Sequence, residues 1–297
     1  MSVLLMLPAF AMLAFVFLCP LAWFLAQSLF LDPDAAPLWP HVVAVATSRA
    51  MVQAMITTNW ISLLVTATVL LLGYPIAYYL ANNRGIRFTL VVFCIIVPYF
   101  TSIIVRTYSW MVLLGRDGLI NQTLTAFGLI DAPLPLLYNK FAIVVGMSYV
   151  LLPYMVLTLF AAMRAIDPSL LRAARSMGAG SIMVFRRVYL PLSLHGVISG
   201  ALIVFILAIG FFITPALMGG PSDVMVATLI ERTVEITLDW TNAAIMSLFL
   251  LAVTLVLYAI YYRVTDLRRL MVPDQCACSP VTSPRYACCC WHRSRSW

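Results

Sequence analysis

Six stretches of this sequence carry no charged side chain: residues 1–31, 50–83, 88–105, 141–163, 188–222 and 240–262. Nothing else in the chain restricts its fold so tightly. A helix needs about 20 apolar residues to cross a bilayer core. Backbone inside lipid must satisfy its own hydrogen bonds, which favours helices for runs of this length. Each stretch holds one helix, so the expectation is an all-α integral membrane protein with six transmembrane helices. They are expected near 3–31, 60–82, 88–114, 141–163, 194–217 and 241–263. The third must continue past Arg106 to about Leu114 to reach full length. Only 10% of the residues are charged and the mean hydropathy is +1.01, whereas a soluble domain carries about 25% charged residues. A soluble enzyme, a nucleic-acid-binding module and a secreted disulfide scaffold are excluded.

The net charge of +7 comes from topology rather than from an acidic partner such as nucleic acid. With Arg84, Arg87, the 164–187 loop and the C-terminus inside, thirteen arginines face the cytoplasm with three acids. Arg49, Arg116, Lys140 and Arg232 face outward with eight acids. This strong positive-inside bias puts both termini in the cytoplasm and membrane lipid around the spans. The first segment lacks a basic n-region and exceeds an h-region of about 7–15 residues, so it reads as a retained span rather than a cleaved signal. The absence of Lys or Arg before it suggests a native start upstream of Met1. Arg106 stands alone within a span. On a helix starting near Arg87 it lies about 28 Å along the axis, near the outer edge of the hydrocarbon. There it either snorkels to the interface or lines a translocation path.

Catalytic and metal-binding constellations are missing. His41, His195 and His292 have no partner at metal spacing within a span. A P-loop needs Lys followed by Ser or Thr, and the single lysine, Lys140, precedes Phe141. Without intramembrane acids, proton-coupled transport is disfavoured. The expectation is a transport subunit with no cofactor and no ATPase site of its own.

The most detailed stretch is the cytoplasmic loop. Asp167-Pro168 reads as a helix start, with Asp capping free N–H groups and Pro at the first helical position. Ser169–Met177 reads as a short helix with Leu170, Ala174 and Met177 on one face. Gly178 ends it, where a left-handed residue is wanted. Ser181 is placed to cap a second helix running to Tyr189, and Pro191 precedes the fifth span. Helix, glycine break and helix suit a docking device as well as an ordinary amphipathic loop.

The residues from Arg172-Ala173-Ala174 to Gly178, then nine residues, then Val188-Tyr189-Leu190-Pro191, resemble the EAA loop of ABC importer permeases. That pattern is Glu-Ala-Ala, three residues, Gly, nine residues, Ile-x-Leu-Pro. Here Arg172 replaces the Glu and Val188 the Ile. The resemblance covers about residues 3–268. It implies a type I ABC importer permease fold over 1–271 and a multi-pass place in the bacterial inner membrane. It also implies that Leu170, Arg172, Ala173, Ala174, Met177, Gly178, Leu190 and Pro191 couple the chain to a separate ATPase dimer that holds ATP and Mg. A second permease subunit and a periplasmic substrate-binding protein complete the expected partners.

Two further stretches are similar to the spermidine/putrescine branch of these permeases. One is Val105-Arg106-Thr107-Tyr108-Ser109-Trp110 with Leu114–Asn121 following; the other is Phe212-Ile213-Thr214-Pro215 through Pro221. Arg106, Tyr108, Trp110, Thr214 and Pro215 are the residues this resemblance suggests for the translocation path. Related importers of opines or amino-acid derivatives share much of the pattern. A secondary transporter, the rival class, would show inverted repeats, and no clear repeat is visible. The outer surface holds Asp223, Glu231, Glu235 and Asp239. Glu231 and Glu235 share a helix face, which would attract a cationic solute, dock the binding protein or face water. Aromatics such as Tyr74, Tyr78, Tyr99, Tyr149 and Tyr154 face a pore or anchor the interface. Residues 272–297 hold Cys276, Cys278, Cys288, Cys289 and Cys290 beside His292 without a zinc spacing, and read as a disordered or atypical cytoplasmic tail. Their composition suggests a shifted reading frame or altered terminus.

Overall fold

The computed structural model describes residues 38–271, together with scattered helical positions between Pro8 and Ala26. The 272–297 tail and most of the first expected span lie outside the described residues. The chain up to Val256 is one compact unit, and the residues from Leu257 form a second, in which the last helix reaches Met271.

Among the described residues there are helices and no strands. Helix α1 is Leu38–Thr47 and α2 is Arg49–Asn82. Ser48 separates them: its hydroxyl accepts from the Met51 N–H and caps α2. Helix α3, Ile86–Ile96, runs into a 3-10 turn over Val97–Phe100, and α4 follows at Ile103–Leu114. Then come α5 (Leu119–Ala126), α6 (Lys140–Arg164), α7 (Pro168–Ser176) and α8 (Ser181–Val184). A π-helical turn, Phe185–Tyr189, joins α8 to α9 (Leu190–Ile209). The short α10 is Ile213–Met218, α11 is Val226–Glu235 and α12 is Trp240–Met271.

Four of these units are long and apolar enough to cross a membrane: Arg49–Asn82, Lys140–Arg164, Ser181–Ile209 and Trp240–Ala259. A fifth crossing exists if the bent pair Ile86–Phe100 and Ile103–Ala126 is one span. So the described residues hold four or five spans where the full sequence predicts six.

Two expected spans have a different shape. Residues 88–114 are not one helix, because the chain bends by 103° after Phe100. Pro98 lacks the N–H that would continue the ladder. Thr101 then turns both its N–H and its hydroxyl to the Pro98 carbonyl, at 3.2 and 2.7 Å. Thr101 and Ser102 are extended, and α4 starts afresh with Ser102 at its N-cap. The fifth span starts earlier and ends earlier than 194–217. Pro191 does not separate loop from membrane, and Ser181 begins α8 rather than capping it from outside. In an α-helix the Pro191 ring would collide with the carbonyl four residues back. The π turn widens the helix, with the Leu190 N–H donating to Phe185 O, and the chain runs on as one unit to Ile209. The segment Ile213-Thr214-Pro215 falls in the separate α10.

The core is built from α2, α6 and α9. Ile61, Val65, Val69 and Ala77 of α2 meet Met147, Leu151, Met155 and Leu159 of α6 and Val204 and Ala208 of α9. Small residues let the backbones approach, as membrane helices require when no hydrophobic force drives them together. A Cβ at Gly200 would lie 2.9 Å from the Met155 sulfur, and one at Gly196 would overlap Ala162.

Candidate functional site: a cytoplasmic helix and a broken span

Helix α7 has both ends fixed locally. The Asp167 carboxylate accepts from the Ser169 N–H at 2.8 Å, which holds its pKa below the ordinary value, with Arg172 adding a little. At the other end Gly178 adopts φ +83°. Its N–H donates to Arg175 O, and that of Ala179 to Ala174 O, which closes the helix with a glycine C-cap motif.

The outward face differs from the expected one by one residue. Ala174 is buried, and Leu171 beside it packs against the core with Ile166 and Phe185. The exposed apolar ridge is Leu170, Ala173 and Met177, flanked by exposed Arg172, and Met177 is 82% exposed. Leu190 and Pro191 are also exposed but lie beyond the π turn, on α9. An open hollow of about 810 Å³, lined by Ile182, Met183, Arg186 and Arg187 among others, follows the ridge in the chain.

A cluster not singled out in the sequence ties this loop to the core. Phe185 and Tyr189 stack at 6.0 Å, and the Tyr78 ring from α2 meets them edge-on at 5.6 and 5.0 Å. Tyr74 meets Phe185 at 6.2 Å, and its hydroxyl bonds Ser193 Oγ at 3.0 Å. Tyr74 and Tyr78 therefore serve packing between α2 and the loop. The available signal was two aromatic pairs at i, i+4 spacing, 74/78 and 185/189.

The second candidate region is the broken span. Phe88 packs on Phe160 at 5.7 Å, and Tyr99 on Tyr154 at 5.8 Å. Trp110 meets Tyr149 at 5.7 Å, and Leu114 clusters with Ala142. The contacts thus step along α6 from Phe160 to Ala142 as the chain runs from Phe88 to Leu114, and the bend lies near Tyr154. That is about 21 Å from Lys140 and about 15 Å from Arg164 at 1.5 Å per residue. Arg106, within electrostatic reach of Tyr154, lies about one turn into α4, beyond the bend. The sequence estimate assumed one straight axis, which the bend removes.

Of the remaining path candidates, Thr214 is buried and its hydroxyl lies 3.3 Å from that of Thr107, also buried. Thr107 donates to Ile103 O at 2.9 Å, so Thr214 is the donor between them. Pro215 is buried in α10. Arg106 and Trp110 lie on one side of α4, and Tyr108, 53% exposed, lies on the other. On α11, burial lifts the Glu231 carboxyl above its ordinary pKa and the neighbouring Glu235 adds to this. Asp223 is buried, 3.8 Å from Lys140.

Residues 73–269 match the family described as binding-protein-dependent transport system inner membrane component. The chain belongs to this family. The permease is 32% identical over 263 residues to the spermidine/putrescine transport system permease protein PotB of Haemophilus influenzae, covering 87% of this chain and 92% of that one. PotB of Escherichia coli is 34% identical over 206 residues, covering 69% and 75%. The molybdenum transport system permease protein ModB of Mycobacterium bovis is 30% identical over 216 residues, covering 72% and 80%. Among solved structures, a chain of a bacterial alginate ABC transporter in complex with its alginate-bound periplasmic protein superposes with TM-score 0.68 at 19% identity, covering 91% and 94%. A chain of the MetNI methionine ABC transporter gives 0.53 at 16% identity, covering 74% and 99%. These likenesses establish the fold, that of ABC importer permeases. The permease is thus a bacterial inner-membrane transport subunit.

Proposed function

We propose that the permease moves a polyamine, spermidine or putrescine, from the periplasm to the cytoplasm. It works as one of two permease subunits above an ATPase dimer that binds ATP and Mg, with solute delivered by a periplasmic binding protein. The observation that carries the solute is the match to PotB over nearly the whole of both chains.

The mechanism follows from the mechanical continuity of the loop. The ridge of Leu170, Ala173 and Met177, with Arg172 at its flank, docks in a cleft of the ATPase. Gly178 fixes the end of α7, and Ala174 and Leu171 anchor it to the body. Movement of the ATPase displaces α7 and the Ser181–Ile209 helix that follows it. Phe185 and Tyr189, locked between Tyr74 and Tyr78, carry that displacement into α2. Leu190-Pro191 and its π turn keep the helix continuous, so little motion is lost there. Arg106, Trp110, Thr214 and Pro215 belong to the path opened and closed by the movement, with Tyr108 on the face turned towards the second permease. Both termini lie in the cytoplasm.

The test is uptake of labelled putrescine and spermidine in cells lacking the gene and any redundant polyamine importer. They are complemented with residues 1–272 or the full chain. Restored, ATP-dependent uptake is expected. Unrestored polyamine uptake with restored uptake of an opine or amino-acid derivative would replace the solute and keep the permease. Uptake abolished by an ionophore but not by ATP depletion would contradict the ATP-driven mechanism.

A further inference from the structure

The bend leaves a permanent charge inside the span. Along α4, Ile103–Leu114, Arg106 is the one charged residue, and that helix carries no acid. Its Nε is buried without a hydrogen-bond partner. Among the described residues no carboxylate pairs with it, and the ion pair there is Lys140–Asp223. Tyr154 lies within electrostatic reach, but its hydroxyl bonds that of Tyr99 at 3.0 Å rather than the guanidinium.

An arginine does not shed its proton in proteins, and a charge within a span is costly unless paired. Its planar fork of donors matches a carboxylate with two parallel bonds. The start of α4, one turn before Arg106, adds the positive end of a helix dipole. A polyamine nitrogen would be repelled from this position, so the solute proposed above cannot be what neutralises it.

We infer that Arg106 is a carboxylate receptor at the level of the bend, and that the carboxylate comes from outside this chain. This rests on the reading of the chain as one wall of a two-permease path. The second permease, presenting an acidic side chain across that path, is the source compatible with a polycationic solute. The paired charges keep the path near neutral as the cation passes. A carboxylate on the solute is the other source of the same chemistry.

The experiment uses the whole transporter in proteoliposomes, with uptake of labelled putrescine and 4-aminobutyrate (one end amine, the other carboxylate) and with ATPase rate as readouts. Arg106→Gln and Arg106→Glu are expected to lower transport at least tenfold while the complex still purifies intact. Arg106→Lys is expected to keep an intermediate rate. If an acid of the second permease is the source, Arg106→Glu regains most of its activity when that acid is changed to Arg, whichever solute is followed. If the solute is the source, only 4-aminobutyrate uptake is lost on Arg106→Gln. Two results overturn the inference: wild-type uptake by Arg106→Met, or equal loss for every variant, Lys included, with no rescuing charge swap. A wild-type transporter that fails to move putrescine defeats the polyamine reading alone, because the charge-swap test is still read from the ATPase rate.

Discussion

Two prolines, Pro98 and Pro191, stand at junctions between apolar helices, and the chain bends at one and runs on through the other. At Pro98 the preceding helix tightens into a 3-10 turn, Thr101 caps the Pro98 carbonyl twice, and the next residues are extended. At Pro191 the preceding helix widens into a π turn, so the ring meets no carbonyl and the helix continues to Ile209. Loss of one N–H is common to both. What differs is the packing: Tyr99 is drawn to Tyr154, whereas Phe185 and Tyr189 are held in line by Tyr78. In the proposed mechanism the break turns backbone and charge towards the path, and the continuous helix acts as the lever.

The contrast breaks most severely if the lever loses its seat. Gly196→Leu places a side chain where Ala162 already stands; overpacking of this kind costs about 1–3 kcal/mol. Thermal unfolding of the purified transporter should show a large loss, while Gly180→Ala, whose Cβ meets nothing, leaves the midpoint unchanged. Next comes Phe185→Ala with Tyr78→Ala. Each edge contact is worth about 0.5–1.5 kcal/mol, so the protein folds but the lever slips. Uptake is expected to fall about tenfold while ATP hydrolysis continues; an equal fall in both would place the aromatics in assembly instead. Gly178→Val should act more locally. Its Cβ has free space, so the cost is backbone strain of about 1–2 kcal/mol. Weaker binding of the purified ATPase, with Gly178→Asn intermediate, checks it.

The smallest effect concerns Asp167. Its lowered pKa means the carboxylate cap is fully present above the ordinary carboxylate range and is lost as pH falls through the lowered value. Asp167→Ala should therefore speed amide exchange in the first turn of α7 at neutral pH. The difference from wild type should vanish below the carboxylate range. A difference that persisted in acid would show that charge is not what fixes this helix end.

These cases also show what was readable in the sequence. The ends of α7 were legible because Asp167, Pro168 and Gly178 act on their own backbone, within a few residues. The apolar spans over 141–163 and within 50–83 were legible from charge alone. The bend at Thr101–Ser102 was not, because Pro98 and Pro191 look alike until the neighbours that pin each turn are known. The straight axis through Arg106 failed with it. Periodicity alone places Ala174 on one face with Leu170 and Met177. Its burial follows from where Leu171 packs, a tertiary fact. The clamp of Phe185 and Tyr189 on Tyr78 joins residues about 110 apart, beyond any local pattern.

The central claim is that the ridge of α7 is where an ATPase drives this permease. The most direct measurement places a photo-cross-linking amino acid at Met177, the ridge residue standing 82% free, and illuminates the assembled transporter in membranes. A cross-link to the ATPase subunit, lost on Gly178→Val and changed in yield between ATP-bound and nucleotide-free states, is the expected result. A probe at Met177 that captures only lipid or the permease itself, in a transporter still importing its solute, would contradict it.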